Sequence, residues 1–218
     1  IDRSMGSAAL GLAWVANGNP LASSSYTVQL STAPDFTAGD TVTLTTAPAA
    51  GPTGLLAGLT VNTTYYLRVR AVNHQGVPTQ FSSGGSTVTH APAPAAAAVA
   101  FTAVDLSSMT VAWEPNGNLV DLTTYTVVLT TGSSFPNAFS GNVTLSTVPA
   151  GSPPAATLSG LAINTTYHLF VRARNHGGVL SAYAAAGSTS TRAASPAAAA
   201  VPFAAAGASS MTVAWLGN

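Results

Sequence analysis

The chain repeats itself with a period near 100 residues, and this period limits its folding options more than any other feature. Leu12-Ala13-Trp14 returns as Val111-Ala112-Trp113 and again as Val213-Ala214-Trp215, at spacings of 99 and 102 residues. Asn17-Gly18-Asn19 returns as Asn116-Gly117-Asn118, and Tyr26-Thr27-Val28 as Tyr125-Thr126-Val127. The longest copy is Gly58-Leu59-Thr60-Val61-Asn62-Thr63-Thr64-Tyr65, matched by Gly160-Leu161-Ala162-Ile163-Asn164-Thr165-Thr166-Tyr167. Val69-Arg70-Ala71 and Asn73-His74 then return as Val171-Arg172-Ala173 and Asn175-His176. Solenoid units run about 20–50 residues, so each copy here is a small domain of its own. The 218 residues divide into 1–91, 92–192 and 193–218. The first repeat has an opening strand that is missing or degenerate, since the position matching Phe101 falls at Asp2. The second is complete, and the third supplies two strands. The joins, Thr89-His90-Ala91-Pro92-Ala93-Pro94 and Arg192-Ala193-Ala194-Ser195-Pro196, favour short extended linkers, because proline restricts itself and its predecessor.

Within each repeat the periodicity is that of β-strands. Tyr167, Leu169, Val171 and Ala173 alternate with His168, Phe170, Arg172 and Arg174, the period of two of a half-buried strand. Turn residues separate such runs: Pro115-Asn116-Gly117-Asn118, Pro149-Ala150-Gly151-Ser152-Pro153 and Asn175-His176-Gly177-Gly178. No segment carries apolar residues at helical spacing with caps. The alanine runs before Phe101 and Phe203 sit beside proline and read as linker followed by first strand. Seven strands are expected in the second repeat, near Val99–Val104, Met109–Glu114, Thr123–Thr131, Asn142–Thr147, Ala155–Ser159, Thr165–Asn175 and Ser181–Thr191. Seven short strands in about 100 residues indicate a β-sandwich. Its expected core is Trp113, Tyr125, Val127, Leu129, Leu158, Leu161, Tyr167, Leu169 and Val171.

Composition narrows the function. There is no cysteine, so disulfide frameworks, zinc fingers and thiol catalysis are out. Only 6% of the residues are charged, against about 25% in globular proteins, and the formal net charge is zero. All six basic residues are arginine, and no basic stripe exists to neutralise nucleic-acid phosphates. Disorder is disfavoured by a hydrophobic fraction of 47%. Ser and Thr supply 52 residues, so the surface is hydroxyl-rich and repels its neighbours weakly. Neither alanine run is long enough for a membrane span.

The set of residues resembles a known family. A tryptophan on an early strand precedes the Tyr125-Thr126-Val127 strand. The corner Leu161-Ala162-Ile163-Asn164-Thr165-Thr166-Tyr167 then runs into Val171-Arg172-Ala173-Arg174-Asn175 and a glycine turn. This is similar to the fibronectin type III domain, over essentially the whole chain. Val61 and Ile163 stand where the family often has a corner proline, at some cost in turn rigidity. The resemblance implies an all-β fold of tandem immunoglobulin-like sandwiches. It also implies a spacer or binding module, of the kind repeated in large bacterial surface or secreted proteins, not a catalyst.

The candidate site residues are few. His74 and His176 each follow asparagine in the same turn and read as turn chemistry repeated with the domain. His90 and His168 lack a partner at metal-ligand spacing. Asp2, Asp35, Asp40, Asp105, Glu114 and Asp121 are scattered, with no calcium loop and no glycosidase pair. No base is placed to activate the many hydroxyls, so no catalytic residue, metal site or cofactor is expected. Asn62, Asn142 and Asn164 stand in Asn-x-Thr triplets, the pattern of glycan acceptors, although two of them lie inside the corner. Arg70 and Arg172 occupy equivalent outward strand positions, flanked by Arg68 and Arg174. They are candidate assembly contacts, set against a plain solvated sheet face whose stems cover apolar surface. Phe203 and Trp215, on the partial third repeat, are further candidate assembly contacts, and a tail packing into a neighbouring subunit competes with a simple window on a longer array. Expected partners are neighbouring repeats or further copies of the chain, or a surface glycan.

The expected function is a non-catalytic structural segment of an extracellular or cell-surface protein, acting as stalk, filament or adhesin scaffold. Two alternatives stand beside it. One is an accessory spacer array of a secreted carbohydrate-active enzyme. The other is a carbohydrate- or receptor-binding module using the loops Thr32–Asp40 and Gly132–Gly141, which differ between repeats.

Overall fold

The computed structural model describes residues 9–37, 40–133, 143–147 and 154–217. Wherever apolar residues alternate with Thr and Ser, the chain is extended and paired. The first repeat contains β1 (Ala9–Ala13), β2 (Ser25–Ser31), β3 (Thr41–Thr45), β4 (Thr53–Ala57), β5 (Thr64–Val72) and β6 (Ser82–Val88). These form a β1-β4 pair and a sheet of order β3-β2-β5-β6. The second repeat contains β7 (Ala95–Val104), β8 (Ser108–Glu114), β9 (Thr124–Thr130), β10 (Val143–Thr147), β11 (Ala155–Ser159), β12 (Thr166–Arg174) and β13 (Ala184–Ser190). Its sheets have the orders β11-β8-β7 and β10-β9-β12-β13. The third segment is an antiparallel pair, β14 (Ala197–Ala206) and β15 (Met211–Leu216). The helices among the described residues are two single turns, Leu21–Ser23 and Val120–Leu122, at the same place in the two repeats. The fold is all-β, with antiparallel sheets facing one another as in immunoglobulin-like sandwiches.

All seven expected strands of the second repeat are present. The alanine run is the correction: Ala95–Ala100 is part of β7 rather than a linker, and Ala197–Val201 is part of β14. Alanine's helix preference is small, and the ladder to β8 at Ala95↔Glu114 and Ala96↔Trp113 overrides it. The linker shortens to the residues before Ala95.

The inward faces of the two sheets make the core, and every expected core residue lies in it. Trp113 is fully buried and meets Tyr125 edge-on at 5.3 Å between ring centroids. The corner closes by the Ala162 N–H donating to the Tyr167 hydroxyl at 3.0 Å, repeated as Thr60 N–H to the Tyr65 hydroxyl at 3.0 Å. The first repeat is built alike but carries a smaller core: Trp14 is half-buried where Trp113 is enclosed. The reason is local. β8 is flanked by β11 and β7, whereas β1 pairs only with β4 among the described residues.

Burial pushes the Tyr125 hydroxyl up to about 12, with the Asn118 side chain pulling it partly back. The folded state therefore holds this proton more tightly than the unfolded chain, whose tyrosines ionise near 10. The associated stability is complete below about pH 10 and is lost as pH rises through about 12. Urea midpoints measured across that range should fall for the native chain and fall less for Tyr125→Phe. Equal slopes for the two would contradict this assignment.

Candidate functional site

Among the described residues a dense polar cluster lies where the first two repeats meet, and Asn62 is at its centre. Asn62 sits in the corner before β5 with φ of 49°, a left-handed conformation that asparagine tolerates better than most residues. Two neighbours hold it there. Its own N–H donates to the His90 carbonyl at 3.2 Å, and the Thr63 N–H donates to the Thr89 hydroxyl at 2.9 Å. The Thr89 hydroxyl in turn donates to the Thr60 carbonyl at 2.7 Å.

That backbone points the Asn62 side chain at the second repeat, where all four of its hydrogen-bonding positions are used. The amide nitrogen donates to the Leu122 carbonyl and to the Thr123 hydroxyl, each at 2.8 Å. The amide oxygen accepts from the His176 N–H at 2.9 Å and from the His176 ring at Nδ1 at 2.8 Å. Since that oxygen can only accept, Nδ1 carries the ring proton. The ring's Nε2 then faces the Thr64 hydroxyl at 2.8 Å. A further bond runs from the Asn175 amide to the Thr89 carbonyl at 3.0 Å. Gly177 fits because a Cβ there would stand 3.1 Å from Val88. Asn62 is 0% exposed, so this is a saturated polar group in a closed joint.

The linker is tied down separately. Asn118 donates to the Pro92 carbonyl at 2.9 Å and Asn116 to the Ala93 carbonyl at 2.8 Å. Both asparagines lie in the turn after β8, so the segment joining the repeats is fixed to the second one. The joint therefore rests on three places in the second repeat: this turn, the single helical turn with Thr123, and the Asn175–Gly178 turn.

The other expected residues are placed as follows. Asn62 lies in the joint, where both amide hydrogens are engaged and no space remains for a glycan. Asn164 is exposed, and Asn142 lies outside the described residues. Arg70 stacks on Phe81 at 4.7 Å and Arg172 on Tyr183 at 4.5 Å, each within its own repeat. Arg68 lies between Phe36 and Phe81, at 4.0 and 4.2 Å, with its Nε donating to Gln29 at 2.8 Å. Phe203 and Trp215 are 61% and 65% exposed. Asp35 is exposed, and its carboxyl is held below the usual range by the Thr37 hydroxyl and then the Thr37 N–H. His74 is exposed, in a turn closed like that of His176. Asp2 and most of the loop 132–141 lie outside the described residues. Among the described residues no three metal-ligating side chains come together, and no helix is long and apolar enough to cross a membrane.

The joint is what sequence reasoning passed over. The Asn175-His176 turn is a turn, and it is also one half of a contact. Leu122, Thr123, Thr64 and Thr89 carry no signature of their own. The available signal was the duplication itself, because both halves recur at matching places in the two repeats.

Comparison with known proteins agrees with this architecture. Residues 92–186 match the family model for the fibronectin type III domain. A two-domain fibronectin type III segment of chicken tenascin is similar in structure, with a TM-score of 0.56 and 18% identity, over 85% of this chain and 94% of that one. The FN1-FN3 domains of chicken CNTN1 align with a TM-score of 0.40 and 17% identity, over 86% of this chain and 64% of that one. No curated protein matches the chain in sequence.

A double-mutant cycle tests the joint. Asn62→Gly keeps the left-handed backbone and deletes only the side chain. Combined with His176→Ala in denaturant unfolding, it should show a coupling of about 1–3 kcal/mol. The same cycle with His74→Ala should show less than about 0.5 kcal/mol. Equal coupling to both histidines would contradict the geometry.

Proposed function

Starting from a chain whose residues 92–186 are a fibronectin type III domain, and whose preceding repeat shares its design, we propose that the chain is a non-catalytic structural segment. It acts as a stalk or filament scaffold at the cell surface or outside the cell. The observation that carries this reading is the saturation of Asn62. A spacer has to hold its units at a set angle, and an enzyme has to gather reactive groups. Here the most ordered polar chemistry is spent on holding one repeat against the next.

The charge pattern supports the same reading. The charged side chains among the described residues are dispersed over the repeats, and Arg68, Arg70 and Arg172 stack on aromatic rings of their own repeats. Such stacks cover apolar ring faces and lend each about 0.5–1 kcal/mol at an exposed site. They stiffen the outer face of the four-stranded sheets and present no cluster to a soluble substrate. Threonine-rich outer strands such as β3 leave a neutral, hydroxyl-bearing surface suited to a neighbouring chain.

Single-particle imaging of the chain tests this. A rod of serial domains with one narrow distribution of inter-repeat angles is expected. A compact particle, or a broad spread of angles, would overturn the proposal.

A further inference from the structure

We propose that the outer face of the sheet β3-β2-β5-β6 in the first repeat binds the carboxylates of an acidic polysaccharide, with Arg68 and Arg70 as the pair that holds them. The site is separate from the Asn62 joint and goes beyond the scaffold reading.

The strand places both arginines. They stand two residues apart on β5, so their side chains leave the same face about 7 Å apart along the chain. One ring organises the pair. The Arg68 guanidinium lies 4.2 Å and the Arg70 guanidinium 4.7 Å from the centre of Phe81. Phe36 covers Arg68 as well, at 4.0 Å. A row of cross-strand bonds then fixes Arg68. Its Nε donates to the Gln29 amide oxygen at 2.8 Å, and the Gln29 amide nitrogen donates to the Thr43 hydroxyl at 3.3 Å. Two long side chains are thus ordered before a ligand arrives, which lowers the entropy lost on binding.

The charge of this pair is left unspent. Asp35 stands next to Phe36, but its carboxylate accepts from the Thr37 hydroxyl and N–H and is not paired with either arginine. Among the described residues the terminal guanidinium nitrogens of Arg68 and Arg70 meet no acceptor, and the Arg70 Nε is buried without one. A guanidinium offers parallel N–H donors in a fork that matches a carboxylate, and two neighbouring cations gain further from an anion between them.

The second repeat shows that the fold does not require this pair. Arg70 and its ring return there as Arg172 on Tyr183, so that stack belongs to the repeat design. Arg68 opposite Gln29 is replaced by Phe170 opposite Val128, and both of those are buried. One sheet position is therefore apolar and covered in one repeat, and charged and half-buried in the other. The face is also open irrespective of where the chain begins. The second repeat has a repeat before it, and Arg172 and Tyr183 stay partly exposed.

The surroundings select the kind of anion. Beside the arginines the face carries Gln29 on β2 and Thr43 and Thr45 on β3, an amide and two hydroxyls that match the bonding groups of a sugar. A flat face cannot enclose a small soluble molecule, whereas an extended chain can set successive carboxylates on the two arginines and its hydroxyls on the threonine row. Acidic peptides are held by a sheet edge or a pocket for their side chains, and β5 is a central strand.

Titration of the full chain with a short oligomer of galacturonic acid, followed by backbone amide NMR, tests the proposal. Shifts should gather at Gln29, Thr43, Arg68 and Arg70, and affinity should fall with added salt. Arg68→Gln should weaken binding about tenfold. Arg172→Gln, which breaks the same kind of stack where no second arginine stands, should change it by less than about twofold. Arg68→Lys, which keeps the charge and loses the fork, should fall between the two. A galactose oligomer and free acetate should each bind at least about tenfold more weakly than the acidic oligomer. An absence of shifts at these residues overturns the proposal, as do equal losses from Arg68→Gln and Arg172→Gln. Equal binding of acetate, or of a glutamate peptide of the same charge, also overturns it and assigns the face to a free anion or a protein partner. None of these outcomes bears on the Asn62 joint, so this proposal can fail while the scaffold reading stands.

Discussion

One buried asparagine side chain is the centre of the joint between the first two repeats of this chain. Asn62 spends two donors and two acceptors on a carbonyl, a hydroxyl, a backbone N–H and an imidazole, all from the next repeat. A buried amide that lost these partners would incur its full desolvation penalty, so partial loosening of the joint is disfavoured. The left-handed backbone at Asn62 makes this geometry available. A β-branched residue could not hold it without strain, and glycine could hold it only without the bonds. The Thr89 hydroxyl then locks the corner from behind, which links the linker, the corner and the joint in one network.

The low charge of the chain takes its meaning from this arrangement. Ion pairs tolerate varied geometry, whereas neutral amide, hydroxyl and imidazole bonds are directional and short. Coupling through the latter sets an angle between the first two repeats. The same economy appears inside each repeat. The Trp–Tyr pair and the tyrosine corner recur in both, at ring separations of 5.4 and 5.3 Å.

Much of the fold could be read from the sequence because period-two patterning and duplicated aromatic positions are local signals. The strands of the second repeat, its core from Trp113 to Val171 and the corner at Tyr167 are all of this kind. Two features were not legible. The alanine run of β7 has no alternation and a weak opposing propensity, so only its tertiary pairing with β8 makes it a strand. The joint depends on residues 60 to 114 positions apart, and its chemistry uses a backbone carbonyl and common hydroxyls that no pattern marks. Asn62 and His176 were each visible as repeated turn or corner residues, but their meeting was a product of the fold.

The claim that the joint fixes the repeats is tested most directly by backbone amide NMR relaxation on the full chain. The account predicts that residues of β5 and β12 tumble with one common correlation time, and that Asn62→Gly splits it into two shorter ones. Separate correlation times for the two repeats in the native chain would contradict it.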